Sequence, residues 1–125
     1  MKKKDVDSMA AEEMKLLRWS CGLTRRDKVK NETIRTRLKV APMHDKLVEN
    51  RLRWFGHIHR RESDHICKRI QNWTVDGKRP RGRPHKKWSN CIADDLKLKN
   101  VSADVALDRN DWKKAIHYAD PNGLA

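Results

Sequence analysis

The stretch "PMHDKLVENRLRWFGHIHRR", Pro42 to Arg61, decides the fold class. Met43, Leu47, Val48, Leu52, Phe55 and Ile58 recur mostly at steps of three and four, the period of an amphipathic helix and not of a strand. Pro42 suits a first helical turn, where its missing N–H has no intrahelical partner to lose. Arg51, Arg53, Arg60 and Arg61 occupy the remaining faces. Gly56 lowers helix propensity near the end of the stretch, so the helix is either interrupted there or tolerates it.

Working upstream, Ser8 is placed to cap a helix from about Met9 to Ser20, with Met14, Leu17 and Cys21 on one side and Gly22 ending it. Thr24 and Asp27 read as a capping-box variant that opens a second helical stretch. Its broken stripe of Val29, Ile34 and Leu38 suggests two short helices hinged near Asn31. Downstream, Ser63 or Asp64 caps a short helix through Ile70. From Gln71 to Arg83 periodicity stops, and "GKRPRGRP" excludes regular structure through its two Pro and two Gly. Pro84 can open the next helix, striped by Trp88, Cys91, Ile92 and Leu96. Ser102 caps a short turn over Ala103 to Leu107. Asp108 and Asp111 start a last helix carrying Trp112, Ala115, Ile116 and Ala119, ended by Asp120-Pro121. No useful strand alternation occurs. The expected fold is all-α, a small bundle of about six short helices with an irregular basic loop at about 71–83. The expected division is a flexible leader 1–7, an N-terminal helical subdomain 8–70, the loop 71–83, a C-terminal helical subdomain 84–120 and a tail 121–125.

Composition narrows the function. The 125 residues include 30 Lys plus Arg against 17 Asp plus Glu, a net charge of +13, and only 37% are apolar, so the core must be lean. No run reaches the ~18–20 apolar residues of a membrane span, and no apolar run near Met1 reads as a signal peptide. Three Cys, an odd number, suggest no disulfide framework and suit a reducing compartment. The chain is expected to be soluble and intracellular, nuclear in preference to cytoplasmic, with a polyphosphate partner and no membrane partner. Residues 51–90 carry 12 basic and 3 acidic side chains, whereas residues 91–125 carry 5 and 6, so the middle of the chain is the expected contact surface. Trp19, Trp54, Trp73, Trp88 and Trp112 read as core, since large rings bury much apolar surface. Trp73, in the irregular segment, is the expected exception and a candidate for base stacking.

The sharpest motif is "KRPRGRPHKK", with Lys78, Arg79, Arg81, Arg83, Lys86 and Lys87 inside ten positions. It resembles the AT-hook, a minor-groove DNA-binding motif, through Pro80-Arg81-Gly82-Arg83-Pro84. The prolines hold the backbone extended, and Gly82 lets it approach a groove floor. Arg81 and Arg83 can then enter a narrow, electronegative A·T-rich groove. Lys78, Arg79, Lys86 and Lys87 would hold phosphates. His85 stands where the motif usually has a basic residue. A basic inter-helix linker and a nuclear-localisation signal are the plainer alternatives.

Two further groupings invite chemistry. His57, His59, His65 and Cys67 supply four N/S donors, but no zinc pattern has that spacing, and on one helix His57 and His59 would project about 200° apart. The expectation is no metal, with His57 packing near Gly56 and His59 and His65 exposed. "CIADDLKL" resembles the A-D-D metal-binding turn of reverse transcriptases. Asp94 and Asp95, however, fall in a helical pattern, where neighbours diverge by about 100°. The chain reads as non-catalytic, with no cofactor.

Taken together, "LRWSCGLTRRDKVKNETIR", "RLRWFGHIHRRESDHICKR", "GKRPRGRPHKKW" and "ALDRNDWKKAI", in that order, resemble the C-terminal tail of non-LTR retrotransposon (LINE-type) endonuclease–reverse transcriptase polyproteins. The resemblance covers roughly Met14 to Pro121. Its W-F-G-H, G-K-R-P-R-G-R-P and D-R-x-x-W signatures are fairly specific in combination. In that family the catalytic domains lie upstream, so the resemblance implies a tail that handles template RNA or target DNA and not a polymerase. The basic positions matching the tail are Arg51, Arg53, Arg60, Arg61, Lys78, Arg79, Arg81 and Arg83. The expectation is a nucleic-acid-binding module for DNA or RNA. The rivals are a protein-interaction module docking on a reverse transcriptase or other protein, and a metal-dependent nuclease remnant.

Overall fold

The period of the Pro42–Arg61 stretch becomes one continuous helix. In the computed structural model, which describes residues 2–121, six α-helices follow one another, and no strand occurs among the described residues. They are α1 (Lys3–Ser20), α2 (Asn31–Leu38), α3 (Met43–His59), α4 (Ile66–Gln71), α5 (Trp88–Lys99) and α6 (Arg109–Ile116), with short 3₁₀ turns at Arg25–Asp27 and Ala103–Leu107. The fold is all-α. None of these helices is long and apolar enough to cross a membrane.

Several boundaries differ from the expected ones, each for a local reason. Helix α1 starts at Lys3 instead of Met9. Nothing in Lys3–Asp7 breaks a helix, and the Asp5 carboxylate accepts a bond from the Lys2 amide at 2.9 Å, capping the end that Ser8 was expected to cap. The capping box at Thr24 forms, with the Asp27 carboxylate accepting from the Thr24 amide at 2.6 Å, but it supports a single 3₁₀ turn before Lys28 turns left-handed. At α4 the cap is His65, whose Nδ1 accepts from the Cys67 amide, in place of Ser63 or Asp64. Helix α5 begins at Trp88, four residues after Pro84, so the basic segment runs on to Lys87. Helix α6 stops at Ile116. There the His117 carbonyl accepts from Lys99 Nζ, and the Tyr118 backbone is bound on both sides by Glu49 and Lys46. The expected tail 121–125 lies, apart from Pro121, outside the described residues, as does Met1 of the leader.

The chain forms two compact units, and their boundary is not the basic loop. One holds the chain up to Glu49 plus the segment from Tyr118 onward; the other is Asn50–His117. The division falls inside α3 because Leu52 and Phe55 share a core with residues 40 to 60 positions later, which the separation into 8–70 and 84–120 would have parted.

In the first unit Met14, Ile34, Ala41 and Val48 are buried. Arg18 ties α1 to the segment before α2, donating from Nη2 to the Val29 carbonyl at 2.8 Å and to Asn31 Oδ1 at 2.7 Å. Arg35 on α2 pairs with Glu13 on α1 at 2.7 Å. Asp120 accepts from the Ala41 amide at 3.1 Å.

The second unit is built around Trp112, which is 2% exposed and surrounded by Leu52, Phe55, Ile92, Ala106 and Ile116 as the other buried apolar residues. Its indole N–H donates to the Leu52 carbonyl at 3.0 Å, so the largest core ring leaves no polar atom unsatisfied. Phe55 lies against it with ring centres 5.9 Å apart. Gly56 is tolerated in α3 because the space is needed: a Cβ there would overlap the Trp112 ring edge, with Cδ1 only 2.6 Å away. The propensity cost of a helical glycine, ~1 kcal/mol, is the smaller term beside burying that ring.

Trp112 is the one tryptophan that meets the core expectation. Trp19, Trp54, Trp73 and Trp88 are 80%, 66%, 73% and 38% exposed. The lean apolar content does not draw every ring inward: one Trp, with Leu, Ile and Phe partners, fills this core, and the others lie outside it.

Candidate nucleic-acid interface

Between the end of α4 and the start of α5, residues 72–87 form no helix and every residue is exposed. Pro80 and Pro84 restrict the backbone, and Gly82 takes φ +122°, a conformation L side chains rarely adopt, with nothing within 4 Å of a Cβ placed there. The backbone bends at Gly77 and again through Arg81–Arg83, and it is bare on the Gly82 side. Lys78, Arg79, Arg81, Arg83 and Lys87 have no hydrogen-bond or ion-pair partner among the described residues. Lys86 alone is engaged, pairing with Asp94 on α5 at 2.6 Å. That contact holds the Lys86 ammonium above its ordinary pKa and the Asp94 carboxyl below its own.

The arginines expected on α3 divide. Arg51 turns inward, gripping Asp95 through two parallel bonds, Nε to Oδ2 at 2.7 Å and Nη2 to Oδ1 at 2.9 Å. Asp95 is 5% exposed, and its hydrogen bond raises the Arg51 pKa further above the ordinary range. Arg51 is thus a structural partner and not a bare phosphate donor. Arg60 gives one N–H to the Ala106 carbonyl at 2.8 Å. Arg53 and Arg61 lie on the exposed surface, Arg53 reaching Asn50 at 3.3 Å.

Asp94 and Asp95 do lie in one helix, and each faces a different cation. His57 is exposed and tilts against Trp54, whereas His59 stacks on Phe55 at 5.2 Å and His65 caps α4; the last two are half-buried, opposite to the expectation. Among the described residues no three His, Cys, Asp or Glu side chains gather where they could hold a metal ion.

Sequence reasoning missed one grouping. His57, Arg60, Arg61 and Arg109 line a shallow cleft of about 230 Å³ where the end of α3 meets the start of α6. Arg109 directly follows Asp108, which caps α6 by accepting from the amides of Asn110 at 2.8 Å and Asp111 at 3.0 Å. Those amides, Asp111 first, hold the Asp108 carboxyl below its ordinary value. Arg109, the first residue of α6, is exposed.

Charge follows the same division. The Asn50–His117 unit carries 17 basic and 8 acidic residues, net +9, against 13 and 9, net +4, for the rest. Of its acids, Asp94, Asp95 and Asp108 are bound within the unit, which leaves the loop cations the least compensated.

No family model, curated protein or solved structure matches this chain.

Proposed function

We propose that the chain is a non-catalytic nucleic-acid-binding module of the kind found at the C-terminus of LINE-type reverse transcriptases. It grips template RNA or target DNA through the segment Lys78–Lys87, assisted by Arg53 and Arg61. The observation that carries the reading is the exposed segment with five cations whose side chains have no partner among the described residues. Such a density repels itself unless a polyanion lies against it. The exposed backbone, open at Gly82, leaves room for a strand to approach, and the segment's arginines offer forked donors to phosphate. Arg51 is left out of the contact set because the buried Asp95 already pairs with its charge through two bonds.

Fluorescence anisotropy against A·T-rich duplex, G·C-rich duplex and single-stranded RNA tests this. If about six phosphates are contacted on duplex DNA, the log–log salt slope is about −5. A slope near zero, or no binding at low salt, would overturn the reading. Loss of an A·T preference in Arg81→Ala/Arg83→Ala would identify minor-groove insertion.

A second reading, docking onto a protein such as a reverse transcriptase, draws on one observation. Ile66 and Ile70, four apart on α4, continue into Trp73 and Val75, and all four are exposed. An apolar strip of this kind is more often a contact surface than a bare one. Nuclease-resistant capture by a reverse-transcriptase fragment, abolished in Ile66→Asp/Ile70→Asp, would favour it.

A further inference from the structure

The cleft at the end of α3 has a composition that a random surface hollow lacks. Its lining is cationic or imidazole throughout, His57, Arg60, Arg61 and Arg109, with no carboxylate. Asp108, whose Oδ1 accepts two amide N–H bonds at the start of α6, keeps its charge and acts on Arg60. Arg60 is held in place by the Ala106 carbonyl, and its Nη1 would lie 3.0 Å from a Cβ at Gly56, so the guanidinium packs against the bare glycine backbone. Its other N–H groups remain for a ligand. Arg61 and Arg109 are exposed and have no partner among the described residues. His57 offers a ring N–H whether neutral or protonated. Three arginines line one hollow here, and of the three only Arg60 feels a carboxylate of the unit, Asp108.

Next to His57, one of the residues lining the cleft, lies the ring of Trp54. It is one helical turn before His57, with ring centres 5.9 Å apart, and it is 66% exposed. An exposed indole of this size leaves an apolar face in water unless something stacks on it. A phosphate subsite next to an aromatic platform is the arrangement by which proteins hold an unpaired nucleotide, the base on the ring and the backbone on the cations. A base inside a duplex has both faces covered and cannot use it.

We infer that Trp54 with His57, Arg60, Arg61 and Arg109 forms a nucleotide-binding site for single-stranded nucleic acid, separate from the Lys78–Lys87 segment. The inference rests on the nucleic-acid reading above and deepens it. The loop supplies a general backbone grip, and the α3 site distinguishes unpaired from paired strands.

The test uses the full chain and anisotropy with a labelled single-stranded oligonucleotide and the duplex of the same sequence. Trp54→Ala weakens single-strand binding about 5- to 150-fold, the range for one stacked base, and leaves duplex binding within about twofold. Trp54→Phe restores most of the loss. Arg61→Ala/Arg109→Ala, both surface changes, flattens the single-strand salt slope by about 1.4. Unchanged helicity in circular dichroism confirms that each variant folds. If Trp54→Ala binds the single strand like wild type, or loses both probes equally, the inference fails while the loop reading stands. Competition by inorganic phosphate beyond chloride at equal ionic strength, with Trp54→Ala silent, would reassign the cleft to free phosphate and also overturn it. Wild type binding neither probe would overturn both readings.

Discussion

Arg51 and Arg81 are the same residue type in the same unit, and they are put to opposite uses. Arg51 sits on a helix whose neighbour across the core presents a buried carboxylate, so its guanidinium is bound twice while staying partly open to solvent. Arg81 sits between two prolines in the non-helical segment that joins α4 to α5, and its side chain has no partner among the described residues. Backbone context, and not charge, separates the cations that build the fold from those whose side chains stay bare. The stability of the Asn50–His117 unit should therefore depend on α3, α5 and α6, and its anion affinity on the segment between α4 and α5.

The largest expected effect lies at the centre of the core. Trp112→Ala removes the ring that Phe55 and Gly56 surround and leaves the Leu52 carbonyl without its donor. It should cost about 3–5 kcal/mol, enough to unfold a small unit, as a lowered or absent thermal transition. If Trp112→Ala melted like wild type, the assignment of the core would be wrong.

Next comes the ion pair. Arg51→Ala strands Asp95 in a nearly dry site. A fully buried pair broken this way loses about 3–5 kcal/mol, and the partial solvent access of Arg51 lowers the expectation to about 2–3 kcal/mol. Arg51→Met/Asp95→Leu should recover most of it, because the cost arises from the unpaired carboxylate and not from a missing attraction. A chemical-denaturation cycle over the four proteins measures the coupling. A double variant no more stable than Arg51→Ala would mean that the pair is not what Arg51 contributes.

A smaller effect is read in acid. Asp108 and Asp27 hold folded-state pKa values below the ordinary 3.8 through amide bonds at helix starts. Groups lowered on folding contribute stability that is fully present above 3.8 and is lost as the pH falls through the folded value. Asp108→Asn, which keeps a capping oxygen but no titrating charge, should flatten the acid side of the stability–pH curve with little change near neutrality. An unaltered acid limb would remove Asp108 from the account.

What the sequence made legible follows from how local each signal is. The period in Pro42–Arg61 spans one helix, so α3 could be placed almost to the residue, and the Pro/Gly pattern of 71–83 marked irregular structure for the same reason. The Asp108 cap needs only its next three residues and was read correctly. Arg51 and Arg53 look alike in sequence because the partner that separates them, Asp95, is 44 positions away. The exposed tryptophans misled for a related reason: how much ring a core accepts depends on the volume left by distant residues, and Trp112 with Gly56 fills this one. The cleft with Arg109 joins residues from two helices far apart in the chain, so no window along the sequence could show it.

The most direct test of the central division is the salt dependence of duplex binding by wild type and by Arg79→Ala/Arg81→Ala/Arg83→Ala. These substitutions touch nothing in the folded units, so thermal stability should stay within about 0.5 kcal/mol. The log–log slope should shrink by about 2.7, from near −5 to near −2, as three phosphate contacts are lost. An unchanged slope and affinity in the triple variant would contradict the account and move the interface elsewhere on the molecule.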